Sequence, residues 1–341
     1  MASAGPMVSW DPYSKASSEP PLLPSASLRI KKDLMSLYRD PPPGIFATAS
    51  ESDIRNVHAL IIGPMDTPYE GGIFYFYLRC PYDFPIQPPK VRFMTTDAGR
   101  VRFNPNIYAN GKVCLSTIGT WEGPGWTPAQ QISSLLISIQ SLMNDNPIEN
   151  EPGYEKLRNL GEPSQYAEMI TYETLRVAVI GMVENECELN IPVEFLPIIE
   201  RTFLQYFDVY TEICTKHMNL DGMKYKDPLN HNVTVKYNFK ELLTKLNEIK
   251  ERLTNKKVVK EVSSDGDGSD YKEDEEDNID EKNVHEFLKC GSDEKLYTEA
   301  DNFYEEYSSE ESSDDNDEEA NSNDSSEPEL DSSKPELDDS E

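Results

Sequence analysis

The sequence predicts an α+β domain, a helical extension after it and a long acidic tail. Three observations carry this. Strand-like runs separated by Pro- and Gly-rich turns fill residues 57–95, the pattern of an antiparallel meander. Apolar stripes of helical period flank that stretch on both sides. Charge is segregated: residues 261–341 hold 33 Asp and Glu against 5 Lys and Arg, a net of −28, while all 341 residues sum to −31. Four regions are therefore expected: a disordered segment over 1–26, a folded core over 27–160, a helical extension over 161–258 and a disordered acidic tail over 259–341.

Residues 1–26 are rich in Ser, Pro and Ala and too poor in apolar side chains to offset the entropy of ordering. Ser27 then caps a helix running to about Tyr38, with Ile30, Leu34, Leu37 and Tyr38 on one face. Asp40-Pro-Pro-Pro-Gly44 ends it, because proline cannot continue a helix. Strands are expected at VHALIIG from Val57, IFYFYLRC from Ile73 and KVRFMT from Lys90. Phe74, Tyr75, Phe76 and Tyr77 alternate across the second run, so half of them should face a core. Thr127-Pro128 opens the next helix, with threonine as cap and proline in the first turn. Its buried stripe is Ile132, Leu135, Leu136, Ile139, Leu142 and Met143. Three further helices are expected, starting near Ser164, Pro197 and Phe239, the last reaching Leu253.

Composition excludes several classes. The nearly neutral body offers no basic patch for nucleic acid. Five widely spaced cysteines without a CxxC pair, beside four histidines, argue against a zinc site or a disulfide framework. The N-terminus lacks the basic start and apolar core of a secretory signal, and no apolar run is long enough to span a bilayer. A soluble, intracellular protein with reduced thiols is expected. The tail is read as a solubilising, self-repelling extension, or as a lure for basic partners that salt would weaken. Ser263, Ser264 and Ser308 precede acidic residues and are candidates for an acid-directed kinase.

The chemistry concentrates in FNPNIYANGKVCLSTIGTW, residues 103–121. Cys114 follows a tight Asn-Gly turn and stands eight residues after Asn106. A lone cysteine is usually a small core residue, and so Cys80, at a strand end, and Cys214, on an aromatic helix face, are read as packing. Cys187 and Cys290 sit in polar context and receive no assignment. Trp121 and Trp126 are read as core plugs rather than a lid.

Three motifs set Cys114 apart. TPYEGGIFYFYLRCPYDFPIQPPKVRFMT spans residues 67–95, NPNIYANGKVCLSTI spans 104–118, and W-T-P-A-Q starts at Trp126. Together they resemble the ubiquitin-conjugating enzymes over about residues 27–160. The longer chain, with LRIKKDLMSLY, the inserted GTWEGPGWTPAQ and the helical extension, looks most like the Z-type branch of that family, to about residue 253. The resemblance implies an N-terminal helix, a four-stranded antiparallel meander sheet, a catalytic loop and a central helix. It implies that Cys114 takes the C-terminal carboxyl of ubiquitin from an activating enzyme as a thioester. The acyl group then passes to a lysine of a substrate or of another ubiquitin, with no cofactor and no metal.

Other residues carry over by position. Asn106 matches the asparagine of the family's His-Pro-Asn motif, as an oxyanion donor or as a brace for the loop, while Asn104 stands where the family has histidine. The gate to the site falls at Glu151, with Asn150 as the alternative, and Ser116 occupies a position that is commonly acidic. A face for the activating enzyme and the ligase matches Arg29, Lys31, Lys32, the Pro85-Ile86 tip and Thr127-Pro128-Ala129. Ile86 would fill a shallow partner pocket. The Z-type likeness implies loading by the alternative ubiquitin-activating enzyme and use of a tandem ubiquitin-like modifier besides ubiquitin. Ubiquitin ligases and substrate proteins complete the expected partners, in cytoplasm and nucleus, with no nucleic acid and no membrane. The rival readings are a non-catalytic ubiquitin-binding variant of the fold, an acidic scaffold for basic partners and a Cys-His hydrolase. The last is disfavoured because none of the four histidines is near Cys114 in sequence.

Overall fold

A computed structural model describes residues 10–14, 19–154, 162–230 and 233–264. Helix α1 (Pro24–Arg39) starts ahead of Ser27, with a proline in its first turn, where the missing N–H costs nothing. It buries Ala26, Ile30, Leu34 and Leu37. Tyr38, expected on that stripe, is 51% exposed. Eight residues on from Ile30 it lies about 80° round the helix, past the edge of the core.

Strands β1 (Ile45–Ser50), β2 (Asp53–Ile62), β3 (Ile73–Arg79) and β4 (Lys90–Phe93) form an antiparallel meander in the order β1-β2-β3-β4. β1 was not among the three runs read from residue pattern, since IFATAS is mostly small and polar after its first two residues. It nonetheless pairs with β2 from Ile45 opposite Ile61 to Ala49 opposite Val57. One face of the sheet, with Val57, Ala59, Ile61, Phe74, Phe76, Leu78, Val91 and Phe93, joins α1 and α2 (Ile132–Gln140) in the main core. α2 begins at Ile132 and not at Thr127. Thr127–Gln130 form a turn instead, closed by the Gln130 N–H to the Thr127 carbonyl at 3.0 Å. Gln131 caps the helix through a reciprocal bond with Ser134, and Asp33 of α1 accepts the Ile132 N–H at 3.0 Å.

The other face of the sheet is also covered. Phe74, Tyr75, Phe76 and Tyr77 are all buried, where alternation predicted half. Leu60, Ile62, Ile73 and Tyr75 pack with Met182, Phe195 and Ile199 from the extension. That extension comprises α3 (Glu162–Glu173), a π-helical stretch (Thr174–Gly181), the single turn α4 (Met182–Glu184), α5 (Leu196–Lys216) and α6 (Phe239–Ser264). Its three expected helices are present, and α6 runs on past Leu253. A hairpin of β5 (Lys224–Lys226) and β6 (Thr234–Lys236) lies between α5 and α6, its strands too short to show in the sequence.

Polar contacts dock the extension. Tyr210 donates to the Gly71 carbonyl at 2.7 Å, and a Cβ on Gly71 would come within 2.8 Å of the Tyr206 and Tyr210 rings. Gly71 also has φ +68°, a second reason for glycine there. Arg176 pairs with Asp97 at 2.8 Å and with Glu173 at 2.6 Å, and Arg100 pairs with Asp97 at 2.5 Å. Burial alone would raise the Asp97 carboxyl, but hydrogen bonds from Arg100 and Arg176 outweigh it and leave the pKa below the usual value. For Glu173 burial wins over Arg176, and the pKa rises.

Part of the N-terminal segment is ordered against the expectation for 1–26. Tyr13 stacks on Tyr77 at 4.9 Å, Asp11 pairs with Arg92 at 2.6 Å, and Glu19 pairs with Arg79 and Arg55. Two aromatic residues and a few charges anchor what overall composition would leave loose. The tail was expected to be disordered from residue 259, but α6 continues to Ser264; the disorder expected beyond it, Ser308 and Cys290 lie outside the described residues.

Candidate active site

Beyond β4 the chain forms a small antiparallel ribbon. The Cys114 N–H donates to the Asn106 carbonyl at 2.8 Å, Ile107 bridges Val113, and the Tyr108 N–H donates to the Lys112 carbonyl at 2.9 Å. Gly111 closes the turn at φ +88°, where a Cβ would lie 2.6 Å from the Phe93 carbonyl. Only glycine fits, and its own carbonyl accepts the Phe93 N–H at 2.8 Å, tying the ribbon to β4. Period-two geometry then sets Asn106, Tyr108, Lys112 and Cys114 on one face, with Tyr108 a diagonal neighbour of Cys114.

Asn104 is the hub beneath this ribbon and is fully buried. Its amide donates to the Tyr69 hydroxyl at 2.9 Å and to the Leu142 carbonyl at 2.8 Å. Its carbonyl accepts the Asn106 N–H at 2.9 Å and the Asn150 amide at 3.3 Å. Two donors and two acceptors are thereby matched, and a carboxamide does what the family's histidine would otherwise do: it holds the loop. Tyr69 passes the bracing on, donating to the Phe103 carbonyl at 2.7 Å.

The predicted site residues separate into two roles. The Asn106 side chain donates to the Cys114 carbonyl at 3.1 Å, which is the bracing geometry. Asn150 also braces: it donates to Leu142 at 3.0 Å and accepts from Asn144 at 3.0 Å. Glu151 instead faces the ribbon, pairing with Arg102 at 3.1 Å. Ser116 opens a short 3-10 turn just past the cysteine. Two residues of the site escaped the sequence reading. Tyr108 shares the ribbon face with Cys114; burial first, then the nearby Cys114 thiol, raise its hydroxyl above the usual pKa of 10. Arg102 lies 4.3 Å above the Tyr108 ring and donates to the Pro105 carbonyl at 2.6 Å. An aromatic residue two positions after Asn106 on a period-two ribbon was the available signal for Tyr108.

Cys114 itself is 2% exposed. Cys80 and Cys214 are packing residues, as read: both are fully buried, and burial pushes the Cys214 thiol up to about 12 and Cys80 further. Cys187 is half-buried, its sulfur 4.0 Å from an Asp97 oxygen.

Hydrogen bonds bring the segments expected at a partner face together. Trp126 donates to the Pro85 carbonyl at 2.7 Å, and Arg29 donates to the Pro128 and Gln130 carbonyls at 2.8 and 2.6 Å. Lys31, Lys32, Ile86, Thr127, Pro128 and Ala129 are exposed. Arg29 differs from expectation: it is 8% exposed and paired with Asp33 at 2.8 Å, so it shapes the face and presents no charge of its own. Trp126 is half-buried beside Phe84, whereas Trp121, expected in the core, is exposed.

A four-stranded antiparallel meander flanked by helices thus carries, beyond its last strand, a ribbon bearing the single cysteine Cys114. The family described as ubiquitin-conjugating enzyme matches residues 29–172. The chain is 48% identical over 255 residues to ubiquitin-conjugating enzyme E2 Z of Danio rerio, covering 73% of this chain and 75% of that one. Against the protein of that name from Homo sapiens the identity is 47% over 246 residues, 72% and 69% of the two chains. A probable ubiquitin-conjugating enzyme protein 17 of Caenorhabditis elegans is 36% identical over 193 residues, 53% of this chain and 26% of its own. The chain belongs to the ubiquitin-conjugating enzyme family and is a ubiquitin transferase.

Proposed function

We propose that Cys114 accepts the C-terminal carboxyl of ubiquitin from an activating enzyme as a thioester and passes it to lysine. The observation that carries this is the setting of Cys114: a thiol on a rigid ribbon, with Asn106 against its carbonyl and Glu151 at the rim. In loading, the Cys114 sulfur attacks the activating enzyme's thioester. A new C–S bond forms as the old one breaks, and the thiol proton leaves with the departing sulfur. In discharge, a lysine nitrogen attacks the carbonyl, the C–S bond breaks, and the amine proton passes to water or to the Glu151 carboxylate. One Asn106 amide hydrogen braces the Cys114 carbonyl, leaving the other for the oxyanion, a contribution of about 100-fold or more in comparable acyl transfers.

The exposed Lys31, Lys32, Ile86 and Thr127–Ala129 suit docking of the activating enzyme and the ligase in turn. Loading by the alternative activating enzyme and acceptance of a tandem ubiquitin-like modifier are part of the same proposal, resting on the sequence motifs of the Z-type branch. A reduced catalytic thiol suits the cytoplasm and nucleus. The test is to incubate the protein with ubiquitin, ATP and each activating enzyme. An adduct removed by dithiothreitol is expected, and Cys114→Ala should abolish it. An adduct that persists in Cys114→Ala overturns the assignment.

A further inference from the structure

A thiol 2% exposed cannot meet a protein's terminal carbonyl until something over it moves. The ribbon backbone is poorly suited to that movement, since it is bonded to itself across the turn and to β4 through Gly111. Tyr108 is better suited: it is half-buried, and the ribbon register makes it the diagonal neighbour of Cys114 on the same face. What holds the ring is Arg102. The guanidinium stacks on it at 4.3 Å, donates to the carbonyls of Pro105 at 2.6 Å and Asn104 at 3.3 Å, and pairs with Glu151 at 3.1 Å. One side chain therefore joins the ribbon, the loop before it and the gate segment. A planar guanidinium with several donors can do this, whereas a lysine cannot stack and fork at once.

We propose that Arg102 is a positioning residue for the thioester reaction: it clamps Tyr108 over Cys114, and release of the clamp admits the modifier's carboxyl terminus. Glu151 holds the clamp from the gate side, so a lysine or a partner that draws Glu151 away loosens the cover. The inference rests on Cys114 being the loaded thiol, and its test needs no ubiquitin, so the two fail separately. Absence of any dithiothreitol-sensitive adduct removes the functional reading. The clamp stands or falls on thiol access.

The full-length protein is treated with iodoacetamide under native conditions, and alkylation of each cysteine is followed by mass spectrometry. Cys80 and Cys214, fully buried in the same molecule, report any general loosening of the fold. Arg102→Ala should speed Cys114 alkylation about tenfold, the scale of a lost stack plus a lost ion pair. Tyr108→Ala should speed it at least as much, and the double variant no more than Tyr108→Ala alone. Arg102→Lys should fall between Arg102→Ala and wild type, while Cys80 and Cys214 stay unreactive throughout. The clamp is overturned if Arg102→Ala reacts at the wild-type rate. It is equally overturned if Cys80 and Cys214 speed up in step, or if the two single effects multiply in the double variant.

Discussion

The polar cluster around Asn104 is neutral, whereas the one around Asp97 is ionic. Asn104 and the carboxylates Asp97 and Glu173 are buried, and both clusters tie distant parts of the chain together. Asn104 links the β2–β3 turn, the end of α2, the ribbon and the gate segment through carboxamides, one hydroxyl and backbone groups. Asp97, Arg100, Arg176 and Glu173 link the loop after β4 to the extension through four charges. A neutral hub keeps its geometry at any ordinary pH and adds no net charge beside the reacting thiol. An ionic clamp is strong only while every member is present, since one missing partner strands a charge in low dielectric.

Breaking the ionic side should have the largest effect on stability. Arg176→Ala leaves Asp97 and Glu173 facing each other without their shared cation. A loss of about 3 kcal/mol is expected in urea unfolding, with the Cys114 ribbon still able to load. Breaking the neutral side should cost less stability and more activity. Asn104→His restores the residue usual in the family but supplies one donor and one acceptor in place of two of each. About 2 kcal/mol is expected to be lost, with lysine discharge slowed about tenfold or more in single turnover, because the ribbon shifts.

Acidity sharpens the contrast. Glu173 has a raised folded pKa, so the folded state binds its proton more readily than the unfolded chain does. Its contribution is therefore present at low pH and is lost as pH rises from about 4.5 through the folded value. Asp97, with a lowered pKa, acts in the opposite sense: it stabilises above about 3.8 and fails as pH falls further. Glu173→Gln should flatten the decline on the upper side while leaving the acid limb in place, as read from urea midpoints at a series of pH values. A smaller effect is expected for Tyr210→Phe, which deletes the bond to Gly71 and should cost about 1 kcal/mol. Were it to slow discharge as well, the extension would reach the chemistry through the β2–β3 turn, and the separation of the two clusters would fail.

Much of the fold was legible because its signals are local. The α1 stripe, the second and third strands and the helices of the extension follow from period and turn residues. Cys114, Asn106 and the gate at Glu151 followed from motif likeness. What was hidden depends on contacts far apart in sequence. The outer face of β3 looked half wet because alternation carries no record of Met182, Phe195 and Ile199 covering it. Arg29 looked like a surface cation because its carbonyl acceptors lie about a hundred residues away, at Pro128 and Gln130. Asn104 looked like a departure from a motif, and its four partners come from four separate segments. Arg102 and Tyr108 had no motif role to draw attention to them. β5 and β6 have three residues each, below what a period-two pattern can reveal.

The most direct measurement is to locate the acyl group itself. After loading with ubiquitin and an acid quench, mass spectrometry of the digested protein should find the ubiquitin carboxyl-terminal remnant on Cys114. Exposure alone would favour Cys187, which is half-buried, over Cys114 at 2%. A remnant on Cys114 is the result expected if the ribbon and its amides select the thiol. A remnant on Cys187 or Cys290, with Cys114 unmodified, would contradict that account.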